Sequence, residues 1–342
     1  MKIHIIANDG SPLGVTMKTM FGDDPAQIGV GGAELALLTM CEAWHNDGYE
    51  IVLYNNPREI GASPFEQRDL SQFNPHEDRD ILIVFRSPNL RMIGARGLKV
   101  WWSCDQYTIG NFRAFGELVD KTVVISPFHR DYFLINYGIK NAIVIDLPVR
   151  VKDYEKPEVK ISDRFIFTSV PHRGLEILLR WWPTIKSQIP EASLVVTSDY
   201  RLWGGDFGRH NEQFLSMTTG LEDVIYLGAI SRKELISEQL RAEIQLYPCI
   251  YDELFCISIA ESQVAGIYPI TSGFGALQTT NMGKVINLDP QIGLTKKNYI
   301  EETVLFRNKL RDDGYNFELQ KKAIERFHPN RILEEWNKKV FK

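Results

Sequence analysis

The chain has 342 residues, 44% apolar and 24% charged, enough for two globular domains with separate cores. A formal net charge of -5 argues against a nucleic-acid binder, whose surface would be basic. Residues 1–150 hold 14 Lys and Arg against 18 Asp and Glu, and residues 151–342 hold 25 against 26, so neither half suits an anionic membrane. No apolar run approaches the roughly 20 residues of a membrane span, and Met1–Ala7 is too short for the apolar region of a signal peptide. Cys41, Cys104, Cys249 and Cys256 form no C-x-x-C pair and read as buried thiols of a reducing compartment. A cytoplasmic chain without an integral membrane segment is expected.

Short apolar runs alternate with segments of helical period, the pattern of parallel sheets covered by helices. Strands are predicted at Lys2–Ala7, Glu50–Asn55, Asp80–Phe85, Lys99–Ser103, Lys121–Ser126 and Ala142–Leu147, with helices at Gly32–Asn46, Pro88–Ala95, Gly110–Leu118 and Pro127–Tyr137. The charged stretch Arg150–Asp163 reads as a linker. The alternation then restarts, with strands at Arg164–Val170, Ser193–Ser198, Val224–Gly228, Glu243–Tyr247, Tyr268–Thr271 and Lys284–Leu288. Helices are expected at Arg173–Gln188, Arg232–Arg241 and Ile257–Ala265, and everything after Thr295 is helical. The fold class is therefore α/β, with two Rossmann-like doubly wound domains: 1–150, 151–328, and a last helix at 329–342. In such sheets ligands bind beyond the carboxyl ends of the strands, which makes a central cleft the expected site.

The most informative segment is Tyr247–Glu261: a buried strand, a polar loop and a helix, with Glu253 before the helix and Glu261 on its body. The amides of Leu254, Phe255 and Cys256 are expected to be the free N–H groups at the helix start, suited to an anionic or hydroxyl-rich ligand. Two glutamates separated by seven residues, with Phe255 two after the first and Ala265-Gly266-Ile267-Tyr268-Pro269-Ile270 following, resemble the signature of the family 4 retaining glycosyltransferases. That resemblance implies the GT-B architecture. It also implies that Glu253 contacts the hydroxyls of the transferred sugar and Glu261 the ribose of the nucleotide. Ser272–Gln278 is similar to the family's glycine-rich turn, which implies that backbone at Gly275, Ala276 and Leu277 approaches the donor phosphates.

Further segments extend the resemblance. Phe167–Glu176 stands where the family has a strand, a short loop and a basic residue before glycine. Without a metal, the departing diphosphate needs a cation, for which Arg173 is the candidate. The family often has a second Arg a few residues earlier. This chain has Ser169 and Val170 there, so either one cation suffices or Arg201 or Arg209 swings in. Gly29–Glu34, with Gly31 and Gly32 opening a helix, resembles the family's first glycine-rich loop over donor and acceptor. Asp105 stands second in a place where many relatives carry His-Asp facing the acceptor, although Cys104 replaces the histidine and a plain strand-end aspartate is an equal reading. His129, at a helix start, reads as structural. Asp78-Arg79-Asp80 has the spacing of a metal-chelating D-x-D, but solvated charges ahead of a buried strand explain it better. No catalytic metal and no cofactor are expected.

The resemblance implies a retaining, metal-independent glycosyltransferase that moves a sugar from a UDP-sugar or GDP-sugar to a glycan, lipid or small-molecule acceptor. Glu253, Arg173 and Asp105 are the catalytic candidates. Leu254, Phe255, Cys256, Glu261, Gly31, Gly32, Gly275, Ala276 and Leu277 are the donor-binding ones. A nucleotide-sugar epimerase, and a catalytically silent sugar- or nucleotide-binding scaffold on the same fold, are the alternatives.

Overall fold

The computed structural model describes residues 1–7, 14–22, 29–156, 158–203, 208–289, 291–313 and 315–342. The chain divides into two compact units, one holding residues 1–24, 31–148 and 327–342, the other 25–30 and 149–326.

Unit 1 is built on seven strands: β1 (Lys2–Ile6), β2 (Glu50–Tyr54), β3 (Glu66–Arg68), β4 (Ile81–Phe85), β5 (Leu98–Trp102), β6 (Lys121–Val124) and β7 (Ile143–Val144). All pair in parallel, in the order β3-β2-β1-β4-β5-β6-β7. The Ile81-Leu82-Ile83-Val84-Phe85 run of β4 is buried throughout, as a strand covered on both faces requires. Helices α1 (Met17–Phe21), α2 (Gly32–Asn46), α3 (Phe112–Leu118) and α4 (Pro127–Tyr137) belong to this unit. The start of α4 is dictated locally: Ser126 accepts from the His129 amide and Pro127 occupies the first turn, while Gly138 at φ 71° closes the far end.

Unit 2 has six parallel strands, β8 (Arg164–Thr168), β9 (Ser193–Thr197), β10 (Val224–Tyr226), β11 (Ile244–Tyr247), β12 (Tyr268–Ser272) and β13 (Lys284–Ile286), in the order β10-β9-β8-β11-β12-β13. Helices α5 (Leu175–Gln188), α6 (Gly208–Thr218), α7 (Arg232–Arg241), α8 (Ile257–Val264), α9 (Leu277–Thr280), α10 (Lys296–Asp313) and α11 (Tyr315–Phe327) follow. A capping box between Ser231 and Glu234 starts α7.

The last helix, α12 (Pro329–Lys339), packs on α2 within unit 1. Trp336 is fully buried, its ring 5.2 Å from Trp44 and 5.2 Å from Trp102. Lys121 Nζ donates to the carbonyl of Val340, tying the chain end to β6. No described helix is long and apolar enough to cross a membrane.

Several elements depart from the sequence expectation, among them α1, α6 and α9, where no helix was expected. Pro88–Ala95 forms only a 3-10 turn at Leu90–Met92, because Gly94 at φ 72° cannot continue a helix. The edge strand β3 is all polar and carries no periodicity to read. Arg150–Asp163 is more than a connector. Val151, Tyr154 and Asp163 are buried, Arg307 clasps Asp163 at 2.6 and 2.8 Å, and Lys160 Nζ donates to the carbonyls of Ala242 (2.7 Å) and Ala265 (2.8 Å).

Candidate active site

A doubly wound sheet opens a crevice where neighbouring strands lead off in opposite directions. In unit 2 that point lies between β8 and β11. The chain leaving β8 carries Arg173, and the chain leaving β11 carries Glu253. The structure brings them together, with Arg173 Nη1 3.3 Å from Glu253 Oε1.

The fit of the two loops explains their glycines. Gly174 sits at φ 106°, where an added Cβ would lie 2.4 Å from the Pro248 carbonyl oxygen. The loop after β8 can therefore lie on the loop after β11 only with glycine at this position. Gly275 does the same from the other side. At φ 55°, its Cβ would stand 2.4 Å from the Glu253 oxygen and 2.7 Å from the Glu253 nitrogen. Ala276 then donates its amide to the Glu253 carbonyl at 2.7 Å. The main chain of Glu253 is thus held by the glycine-rich turn.

The side chains are fixed as firmly. Tyr247 donates its hydroxyl to Glu253 Oε1 at 2.7 Å, and Ser169 lies 3.1 Å from the same hydroxyl. Burial, reinforced by Cys256 and Glu253, holds the Tyr247 phenol well above its usual range, so it remains a proton donor. The Arg173 guanidinium lies 3.5 Å from the centre of the Tyr251 ring. Burial lowers its pKa, but Glu253, Tyr247 and Tyr251 together lift it above the usual value. Its Nε is buried and makes no hydrogen bond among the described residues, and Nη1 has only the ion pair with Glu253. A buried donor left unused is costly unless a ligand supplies the acceptor.

Glu261 lies one helix further in. It is 3% exposed, on the body of α8, and its Oε1 is 2.5 Å from Arg232 Nη2. Arg232 also donates to the Tyr154 hydroxyl at 3.1 Å, and that hydroxyl donates to Gln239 at 2.8 Å. Glu261 is therefore part of a buried network and separate from the Arg173–Glu253 pair. The helix begins at Ile257, where it was expected, and ends at Val264. Cys256, at φ 72°, is the residue before its first turn, and the amides of Leu254, Cys256, Ile257 and Ser258 make no hydrogen bond among the described residues. Phe255 is buried at 1% exposure. In the glycine-rich turn the Ala276 and Leu277 amides are engaged inside the protein, the latter by the Phe274 carbonyl at 3.2 Å.

Arg201 is clamped by Asp199, with Nη2 2.6 Å from Oδ2. The Arg209 side chain lies outside the described residues. The D-x-D segment is consumed at the strand start: Asp78 pairs with Arg96, and Asp80 accepts from the Lys2 amide at 2.7 Å. Among the described residues no group of three His, Cys, Asp or Glu side chains is placed to hold a metal ion.

In unit 1, Gly31 is the residue before α2 and Gly32 its first residue. Glu34, in the first turn, is 4% exposed. Asp105 lies beyond β5 and accepts from Arg86 Nε at 2.7 Å. His129 is wholly buried, and burial, opposed by the Asp105 carbonyl, pulls it down to about 3. The sequence reading missed Tyr247, Tyr251, Arg232 and Arg86 as site residues. Tyr247 and Tyr251 lay inside the quoted motif segment, whereas Arg86 and Arg232 have no local pattern to mark them.

No protein-family model and no curated protein sequence matches the chain. Solved structures do. One is AviGT4, a glycosyltransferase involved in avilamycin A biosynthesis, with 16% identity, TM-score 0.68, and 99% of this chain and 96% of that one covered. Sucrose-phosphate synthase from Thermosynechococcus elongatus matches with 16% identity, TM-score 0.71, and coverage of 99% and 98%. HepE from Anabaena, solved in complex with UDP-glucose, matches with 16% identity, TM-score 0.66, and 99% of each chain covered. At such identities the likeness speaks for architecture: two Rossmann-like units of parallel sheet and helices, the GT-B glycosyltransferase fold.

Proposed function

We propose that the protein is a retaining, metal-independent glycosyltransferase that takes a UDP-sugar or GDP-sugar as donor. The observation that carries this reading is Arg173, a half-buried cation that pairs with Glu253 through Nη1 and keeps its Nε without a hydrogen bond among the described residues, at the switch point of a Rossmann-like sheet. A diphosphate leaving group gains negative charge as its bond to the sugar breaks, and a preorganised guanidinium stabilises that charge more than it does the ground state. The open amides of Ile257 and Ser258 at the start of α8 add a dipole of the same sign.

Glu253 orients the hydroxyls of the sugar. Its Oε1 is taken by Tyr247 and Arg173, so Oε2 is the oxygen offered to the ligand. The anomeric carbon loses its bond to the phosphate oxygen and gains one to the acceptor oxygen on the same face. The acceptor's proton passes to the departing phosphate. Fold neighbours that bind UDP and UDP-glucose support a nucleotide-sugar donor.

The test begins with thermal shifts for UDP, GDP, ADP and CDP, with and without EDTA. A ligand at 100 times its Kd stabilises by about 2.7 kcal/mol, which is readily measured. One diphosphate is expected to stand out, unaffected by EDTA and weakened by Arg173→Gln. Release of that diphosphate from its sugar donor is expected in wild type and lost in Glu253→Ala. Binding without release would favour the silent scaffold, and no shift in folded protein would sink the donor assignment altogether.

A further inference from the structure

Unit 1 has its own switch point, between β1 and β4, and it too is bridged by an arginine and a glutamate. Arg86 is the first residue beyond β4 and one of five non-glycine residues recorded at positive φ, here 62°. The left-handed region is unfavourable for an L residue and persists where the surroundings over-determine it, most often at ligand sites. Two bonds fix it. The Arg86 amide donates to the Trp102 carbonyl at 2.8 Å, and the Arg86 carbonyl accepts from Trp101 Nε1 at 2.8 Å.

The bent backbone aims the guanidinium between two carboxylates. Nη1 donates to Glu34 Oε1 at 2.7 Å and Nε to Asp105 Oδ2 at 2.7 Å. The three side chains grade from core to solvent: Glu34 is 5% exposed, Arg86 15% and Asp105 31%. Glu34 therefore anchors the arginine from within, and Asp105 is presented at the outer end. The loop bearing Asp105 is itself pinned, by Ser87 to Thr108 at 2.7 Å and by Tyr137 to the Gln106 carbonyl at 2.5 Å.

We propose that Arg86 is a positioning residue that fixes Asp105 as the hydrogen-bond acceptor for the sugar-accepting hydroxyl, and that this site selects an uncharged polyol over a phosphorylated or carboxylated one. The inference rests on the glycosyltransferase reading above. Its charge argument is local. Two carboxylates share one guanidinium whose Nε and Nη1 are already engaged, so an incoming anion meets net negative charge. A neutral hydroxyl instead finds lone pairs on Asp105 left open by a single hydrogen bond.

The test follows diphosphate release from the nucleoside-diphosphate glucose whose base gives the largest thermal shift. The probe acceptors are the methyl pyranosides of glucose, galactose and mannose, alongside the matching hexose 6-phosphates. At least one neutral pyranoside is expected to stimulate wild-type release tenfold more than its phosphorylated counterpart. Arg86→Gln and the more exposed Asp105→Asn are each expected to raise the KM for that pyranoside tenfold or more, with donor KM within twofold of wild type. Arg86→Lys, which can hold only one of the two carboxylates well, should fall between. The assignment is overturned if the phosphates stimulate equally, if no neutral pyranoside stimulates, or if donor and acceptor KM rise together. A wild type without any diphosphate shift would retire the glycosyltransferase reading itself, a separate outcome.

Discussion

Gly275→Ala tests whether the glycine-rich turn holds Glu253 through direct backbone contact. An alanine Cβ would stand 2.4 Å from the Glu253 oxygen, 2.7 Å from its nitrogen and 2.8 Å from the Asp252 carbonyl carbon, all main-chain atoms that cannot rotate away. The loops must separate by about 1 Å to restore ordinary contact. That overpacking costs on the order of 1–3 kcal/mol. The residue must also keep φ 55°, a further ~1 kcal/mol for a side chain. Separation also stretches the Ala276 to Glu253 hydrogen bond, a net loss of about 1 kcal/mol. A destabilisation of about 3–5 kcal/mol is expected in urea unfolding. Gly220→Ala is the control, because it shares a positive φ of 82° but its Cβ would meet nothing within 4 Å. It should cost only the backbone part, about 1 kcal/mol. In the folded fraction of Gly275→Ala, donor turnover should fall on the order of 100-fold, since a shift of about 1 Å displaces the Glu253 carboxylate. Equal unfolding midpoints for the two variants would refute the contact argument.

Two further expectations concern unit 1. His129 has its pKa depressed by burial to about 3, whereas the unfolded chain takes up that proton near 6.5. Unfolded protein therefore binds more protons in this window, and stability must fall as pH drops from 6.5 towards 3, by about 2 kcal/mol from this residue at pH 5. Unfolding midpoints measured from pH 8 to 5 should show a shallower loss in His129→Asn, and an unchanged slope would exclude His129 as the cause. Trp336→Ala should cost about 3–5 kcal/mol, because the indole packs between Trp44 and Trp102 with no exposed surface. A loss below 1 kcal/mol on calorimetry would mean that α12 is not part of the unit 1 core.

Much of the architecture was legible in the amino-acid sequence, because burial on both faces leaves continuous apolar runs such as Ile81–Phe85 and Phe165–Thr168. Helices α2, α4 and α7 begin and end at the expected residues, since their boundaries are written in local chemistry: Pro127 after Ser126, the Ser231–Glu234 box, and Gly138. The resemblance to the family 4 glycosyltransferase signature also marked Glu253, Arg173 and Gly275. What the sequence could not determine was which charged groups meet. The sequence placed Glu253 before the helix and Glu261 on its body but named no partner for either; one faces Arg173 at the switch point and the other is buried against Arg232. Arg86 sits in an unremarkable Phe-Arg-Ser, and its role depends on Glu34 and Asp105, 52 and 19 residues away. Apolar periodicity and capping are properties of neighbouring residues and survive in a linear reading. The pairing of buried charges depends on strand order, and only the tertiary structure decides it.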